Sequence, residues 1–457
     1  MCIEFLARFQ YSHKIRVKSS GNIIERVCGE LPEASLVRWA AFCFCLFVLT
    51  LQISIAVSQV CLAVSGVLYV AHLLRDKPVV RFLPVKLPLA LFCLFSVLPI
   101  FWAENPTTGW FAVRKLVLFA VWFLVVNLVT KPQLRRRLLL LSFLVAAFTG
   151  LVAIGQFVIQ YRDVRAQHPG EVYHYLTSTR IHGFMGHWMN FGGQQMLIFV
   201  FLLAFLLLAN REEPQGWRAS PALQSSRIST FEFQISAVWW VVLAIIIVSI
   251  ILNFTRGVWL GCFVATVYLV VRWRAKWLWA LPVLAALGYL LAPPLVRERL
   301  WLAAHPTQEH ALSIRLEMWH VALNMVRAHP WVGVGPNNIE EVYNLYLPPG
   351  KMPEIGFHNH FHNDYLQFAA ERGLPCLAAW LWLMAALGWH IWKMRRKLGP
   401  ERWVADAALA ALLAFLVEGC FEFNFGTSPV LMALLFLTAL PFTAGDAVAD
   451  SRRPIEK

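Results

Sequence analysis

Residues 356–392 read GFHNHFHNDYLQFAAERGLPCLAAWLWLMAALGWHIW. The first half holds three histidines, several amide or carboxylate side chains and the ion-pair-capable Glu371/Arg372. From Leu374 to Trp392 the text turns into an almost uncharged run. Such a run has the length of a helix crossing the hydrocarbon core, which takes about 20 residues with every backbone group paired internally. The junction therefore places a polar, chemistry-bearing segment directly against a membrane span.

The same reading extends outward. Of the 457 residues 59% are hydrophobic and 14% charged, against about 25% charged in soluble domains. Apolar runs recur near Leu36–Ile55, Val57–Leu74, Leu87–Trp102, Ala112–Thr130, Leu138–Gln160, Phe191–Ala209, Ala237–Leu252, Val258–Val271, Trp277–Ala292, Leu374–Trp392, Val404–Cys420 and Val430–Phe442. Their length argues against β-barrel strands of about 10 residues. The expected fold is an all-α polytopic membrane protein of about 12 transmembrane helices with one large periplasmic loop region containing helices. Residues 1–35 form a cytoplasmic lead and 36–292 the first nine spans. Residues 293–373 form the external region, 374–443 the last three spans and 444–457 a cytoplasmic tail.

Basic residues set the orientation. Arg75, Lys77, Arg81 and Lys86 fill one connection and Lys131 with Arg135, Arg136 and Arg137 another, while the turn between them is nearly uncharged. Arg211, Arg218, Arg227, Arg272, Arg274, Lys276, Lys393, Arg395, Arg396, Lys397 and Arg402 continue the alternation, so both termini are expected inside. The net charge of +14 is distributed as such clusters, which does not point to nucleic acid as a partner. No cysteine pair has metal-ligand spacing and no disulfide framework is indicated.

Several external residues suit an anionic ligand. Arg256 in Asn-Phe-Thr-Arg-Gly reads either as an interfacial anchor or as a ligand-binding group. Arg180 sits in a polar segment, and Arg315 opens a helix in which Trp319, one turn on, permits a cation–π contact. Leu316, Trp319, Leu323 and Val326 have helical spacing there. Guanidinium groups bind phosphate through two parallel hydrogen bonds. The three histidines admit a metal site, a general base or a polar lid without chemistry; a base suits an imidazole titrating near neutrality. The turn His329–Asn337, rich in Gly and Pro, either presents backbone amides to a phosphate or shapes a loop.

These features resemble the O-antigen ligase superfamily, which includes O-antigen polymerases and protein O-oligosaccharyltransferases. The resemblance runs from the Arg180 segment to Gly373. Its most specific element is a histidine, then Asn, Ser or Gln, nine residues and a glycine. His362-Asn363, Asp364 to Arg372 and Gly373 fit that count, whereas starting at His358 puts Ala369 in the glycine position. Cys376 stands where the family usually has Thr or a small residue. Thr255-Arg256-Gly257 with Trp259-Leu260-Gly261, and Arg315 before Trp319, resemble the two arginine sites of the family. The resemblance implies transfer of a glycan from undecaprenyl diphosphate to lipid A-core at the periplasmic face of the inner membrane, without cofactor, metal or nucleotide. In it, His362, Arg256 and Arg315 are catalytic, and Arg180, Asn363 and Trp319 join the arginines in binding substrate. A polymerase shares the motifs, and a lipid-linked glycan transporter is the alternative from another class. Transporters tend to show paired inverted halves, whereas the polar residues here gather on one face.

Overall fold

The computed structural model describes residues 35–209, 237–305, 310–350 and 360–443. The expected lead and tail, Arg211, Arg218, Arg227 and His358 lie outside these residues. Among those described, all regular structure is helical. The chain runs through α1 (Ser35–Thr50), α2 (Ile55–Asp76) and α3 (Lys86–Val97, extended by a 3-10 turn to Trp102). Then come α4 (Pro106–Leu128), α5 (Pro132–Gln167), the short α6 (Val172–Ser178) and α7 (Trp188–Leu208). The second half holds α8 (Ala237–Leu252), α9 (Arg256–Arg274), α10 (Ala280–Leu291), α11 (Pro294–Ala304), α12 (His310–Ala328) and α13 (Ile339–Val342). The last elements are α14 (Asp364–Arg395), α15 (Arg402–Glu418) and α16 (Ser428–Ala439).

Each of the twelve apolar runs falls on a helix. Six, those of α2, α4, α5, α7, α9 and α14, are long and apolar enough to cross a membrane. The others are shorter: α10 has 12 residues, about 18 Å at 1.5 Å per residue, less than the roughly 30 Å hydrocarbon core.

α7 carries no charged side chain, and 94% of its apolar stretch is buried. A helix without a charged face belongs in the middle of a bundle, and α7 sits there. Its Gln194 donates to the Leu51 and Pro429 carbonyls, and Gln195 to Ala146 O and Thr149 Oγ1. Valines on α2 and α10's leucines instead face outward, as hydrocarbon contact allows.

α9 and α15 approach closely because Gly257 and Gly261 stand four apart on α9. A Cβ on Gly261 would lie 2.9 Å from Ala414 O and 2.5 Å from Met196 Sδ. Small residues at this spacing let backbones meet in a bilayer. At the far end of the same helices Asp406 takes Arg395 at 2.7 Å, Arg272 at 3.4 Å and the Tyr268 hydroxyl at 2.9 Å. That cluster ties α9, α14 and α15 together, and these three carry or adjoin the candidate site.

The region after Ser313 has its own small core of Met318, Val321, Ala322, Met325, Val334, Ile339, Val342, Tyr343, Phe361 and Ala370. α12 forms as its periodicity predicts, but the buried face is displaced from the predicted one. Leu316 and Leu323 are exposed, while Met318, Val321, Ala322 and Met325 form the packed stripe. Both stripes have helical spacing, and the partner surface beneath the helix selects between them.

Candidate active site

α14 begins at Asn363 and is interrupted at Gly373, where φ is 81° and ψ 168°. Asp364 to Arg372, the nine residues of the sequence pattern, are thus one short helix with a cap at each end. Asn363 Oδ1 accepts from Leu366 N at 2.9 Å, an N-cap, and Asn363 Nδ2 donates to Cys420 O at 3.0 Å. Asp364 N donates to Gly419 O at 2.7 Å, and Asp364 Oδ1 accepts from Phe425 N at 3.1 Å. The start of α14 is therefore stitched to the turn after α15.

The Gly373 end is closed by the turn His329–Asn337. Val334 N donates to Ala370 O, Gly335 N to Glu371 O and Leu374 N to Pro330 O, at 2.8–2.9 Å. A Cβ on Gly373 would stand 2.3 Å from Trp331 O. The amides of this turn shape the loop instead of facing a phosphate.

Stitching the helix start to the following turn brings His362 beside Glu422. His362 Nδ1 lies 2.8 Å from Glu422 Oε2, and Arg315 Nη2 donates to Glu422 Oε1 at 2.7 Å. Arg315 Nη1 donates to Phe421 O at 3.0 Å. The Glu422 side chain is 2% exposed, while those of His362 and Arg315 are 21% and 24% exposed. The carboxylate is sealed in and its two partners remain open to a substrate. Burial alone would raise the Glu422 carboxyl, but the Arg315 guanidinium and the His362 hydrogen bond outweigh it and hold it at about 2. An ionised Glu422 accepts the Nδ1 proton of a neutral His362, which leaves the lone pair on Nε2.

His362 has φ 48°, a left-handed conformation that turns the chain sharply before the N-cap. Trp319 Nε1 donates to Phe361 O at 3.0 Å and braces that bend. Trp319 does not stack on Arg315, whose guanidinium goes to Glu422 and Phe421. His360 packs its ring 4.4 Å from that of His362. Burial first, then His362, pushes His360 down to about 4 against the opposing pull of Glu422. Among the described residues no group of three or more His, Cys, Asp or Glu could hold a metal ion.

Arg256 is the first residue of α9, and its neighbour Gly257 packs on Glu418 and Phe421 of the same turn. Arg180 lies over the Trp188 ring at 4.0 Å and its Nε donates to Thr177 O. Its guanidinium is pushed down to about 9 by burial and by Arg299, with Arg315 and Arg256 adding to the shift and Glu422 opposing it; it stays charged at neutral pH. Arg299, Arg315, Arg256 and the buried Glu422 carboxylate thus all lie within electrostatic range of Arg180. Arg299 donates through Nε to Phe254 O at 3.2 Å, and His187 caps α7 through Nδ1.

Sequence reasoning missed Glu422, Arg299 and His187. The lone charge in the Phe421–Phe425 turn was a visible signal for Glu422. Arg299 lies among Arg297 and Glu298 with nothing in the sequence to distinguish it.

Fold and site together define a polytopic membrane protein whose helical bundle carries an arginine-rich, carboxylate-supported histidine at one end. Residues 241–381, under a third of the chain, match the family described as O-Antigen ligase, and this match supports membership of that family. The matched stretch contains Arg256, Arg315, Trp319, His362, Asn363 and Gly373, while Arg180 and Glu422 lie outside it. Comparison with curated protein sequences found no match.

Proposed function

We propose that this protein transfers a glycan from an undecaprenyl-diphosphate carrier to the lipid A-core oligosaccharide at the periplasmic face of the bacterial inner membrane. The twelve helices cross the membrane in this reading, the shorter ones extended by flanking turns and met by local thinning of the bilayer, with residues 293–373 outside. The observation that carries the chemistry is the Glu422 carboxylate held between His362 Nδ1 and Arg315. His362 Nε2 takes the proton of an acceptor hydroxyl as its oxygen attacks the anomeric carbon. The bond from that carbon to the diphosphate oxygen breaks, its electron pair stays on the diphosphate, and configuration inverts in one displacement.

The leaving group gains negative charge in the transition state, so cations placed around it lower the barrier more than they tighten ground-state binding. Arg256, Arg180 and Arg299 supply that field, and Arg315 contributes while fixing Glu422. Asn363 and Trp319 set the position of the His362 backbone. Chemical energy resides in the diphosphate linkage, so neither nucleotide nor metal is required. The test is transfer by purified protein from a lipid-linked glycan to core-lipid A, in EDTA and without nucleotide. Product with an inverted linkage supports the proposal. Elongation of the lipid-linked glycan with no product on core-lipid A would make the protein a polymerase, and no transfer with either acceptor would reject the reading.

A further inference from the structure

A basic cavity is lined in part by Phe423, Phe425 and Gly426 of the turn that carries Glu422. It has a volume of about 200 Å³ and is lined by Arg114, Lys115, Glu371, Arg372, Phe423 and Gly426 among others. One water needs only about 10–15 Å³ of such space, so the cavity admits a small polyatomic ion. Three cations face one carboxylate in walls that are otherwise largely apolar. Arg372, Arg114 and Glu371 all lie within electrostatic range of Lys115. The Arg372 side chain is nine-tenths buried and its Nε lies 3.7 Å from Glu371 Oε2, beyond hydrogen-bond distance, while Nη1 donates to Ser96 Oγ at 3.1 Å; Glu371 thus offsets one of the three cations and leaves a net positive pocket. Lys115 Nζ donates to the Gly426 carbonyl, which uses one of its three N–H groups. Like charges gathered in a low-dielectric pocket call for an anion.

The mouth indicates where that anion comes from. Arg114 is exposed and lies over the Phe111 ring at 5.3 Å. Phe111, Trp110 and Trp102 are all exposed, and such aromatic groups mark the level of lipid headgroups in a bilayer. Phe423 and Gly426 place the cavity at the same end of the bundle as His362, one residue beyond Glu422.

We propose that the cavity between Lys115 and Arg372 binds a phosphate group presented by the headgroup of an anionic membrane lipid. It is separate from the site around His362 and does not depend on the reaction proposed there.

Full-length protein, purified in detergent and stripped of lipid, is titrated with short-chain phosphatidic acid, with diacylglycerol of the same chains and with inorganic phosphate. Binding is read by native mass spectrometry and by the shift in Tm. Phosphatidic acid is expected to bind and raise Tm, and diacylglycerol to do neither. Lys115→Gln weakens phosphatidic acid binding by about tenfold or more, as loss of a charge-assisted hydrogen bond implies. Arg114→Gln, at an exposed position where folding is not at stake, weakens it by a smaller factor, and Lys86→Gln leaves it unchanged. Inorganic phosphate binding as tightly as phosphatidic acid, with the same loss in Lys115→Gln, supports the phosphate site and overturns its lipid source. Equal affinity in wild type and both pocket variants, or equal binding of diacylglycerol, overturns the proposal.

Discussion

The Glu422 carboxylate meets Nδ1 of His362 at 2.8 Å across 60 positions of sequence. Hydrogen bonds between the start of α14 and the turn after α15 bring the two together, so the pair depends on backbone stitching as much as on its own attraction. Charge and orientation are both supplied by one buried group.

Glu422→Gln keeps the shape and removes the charge that fixes the imidazole. Transfer is expected to fall at least about 100-fold. Because Arg315 loses its buried partner, stability also falls, by about 3–5 kcal/mol, so rates are compared at equal folded protein. A variant with wild-type turnover would show that His362 does not need the carboxylate.

His362→Asn tests the base itself. Asparagine tolerates the left-handed backbone at φ 48° and cannot accept the proton, so transfer should drop by about 100- to 10,000-fold with little change in Tm. His360→Asn should cost much less, because a ring held at about 4 is poorly matched to base work at neutral pH. Equal losses at the two positions would reassign the base.

Arg256→Ala is expected to reduce transfer strongly and Arg256→Lys to restore part of it, since lysine keeps the charge without the planar fork. Steady-state rates with the lipid-linked donor measure this. Unchanged rates in the alanine variant would remove Arg256 from the leaving-group field.

Gly373→Ala should destabilise the protein by about 3 kcal/mol or more. The backbone there is one that other residues rarely adopt, and the new methyl carbon would stand 2.3 Å from Trp331 O. Gly350 has φ 79° with nothing within 4 Å, so Gly350→Ala should cost only the conformational penalty of about 1–2 kcal/mol. Thermal melts of the two variants make the comparison.

Acid should destabilise the protein in two steps. His360 is lowered from 6.5 to about 4, chiefly by burial, so between those values the unfolded chain binds a proton that the folded one does not. Stability falls as pH drops through that window. Glu422, held at about 2 against an ordinary 4.5, contributes stability that is complete above 4.5 and lost as pH falls toward 2. His360→Asn should flatten the upper step in a Tm–pH profile and leave the lower one.

The amino-acid sequence by itself determined the helical class and the positions of the apolar helices. Those properties follow from composition and local periodicity, which need no knowledge of neighbours, while the resemblance to the O-antigen ligase family rests on short motifs. The resemblance to the family pattern pointed to His362, and the residues that the pattern counts, Asp364 to Arg372, form one short helix between an N-cap and a break. Tertiary structure decided which face of α12 is buried, since Leu316 and Met318 belong to equally regular stripes. It alone revealed Glu422 as the partner of His362, drew Arg299 toward Arg180, and directed Trp319 to the Phe361 carbonyl in place of Arg315. Each of these pairs joins residues far apart in the chain, and a hydrogen bond or charge contact acts over a few ångströms of space whatever the distance in sequence.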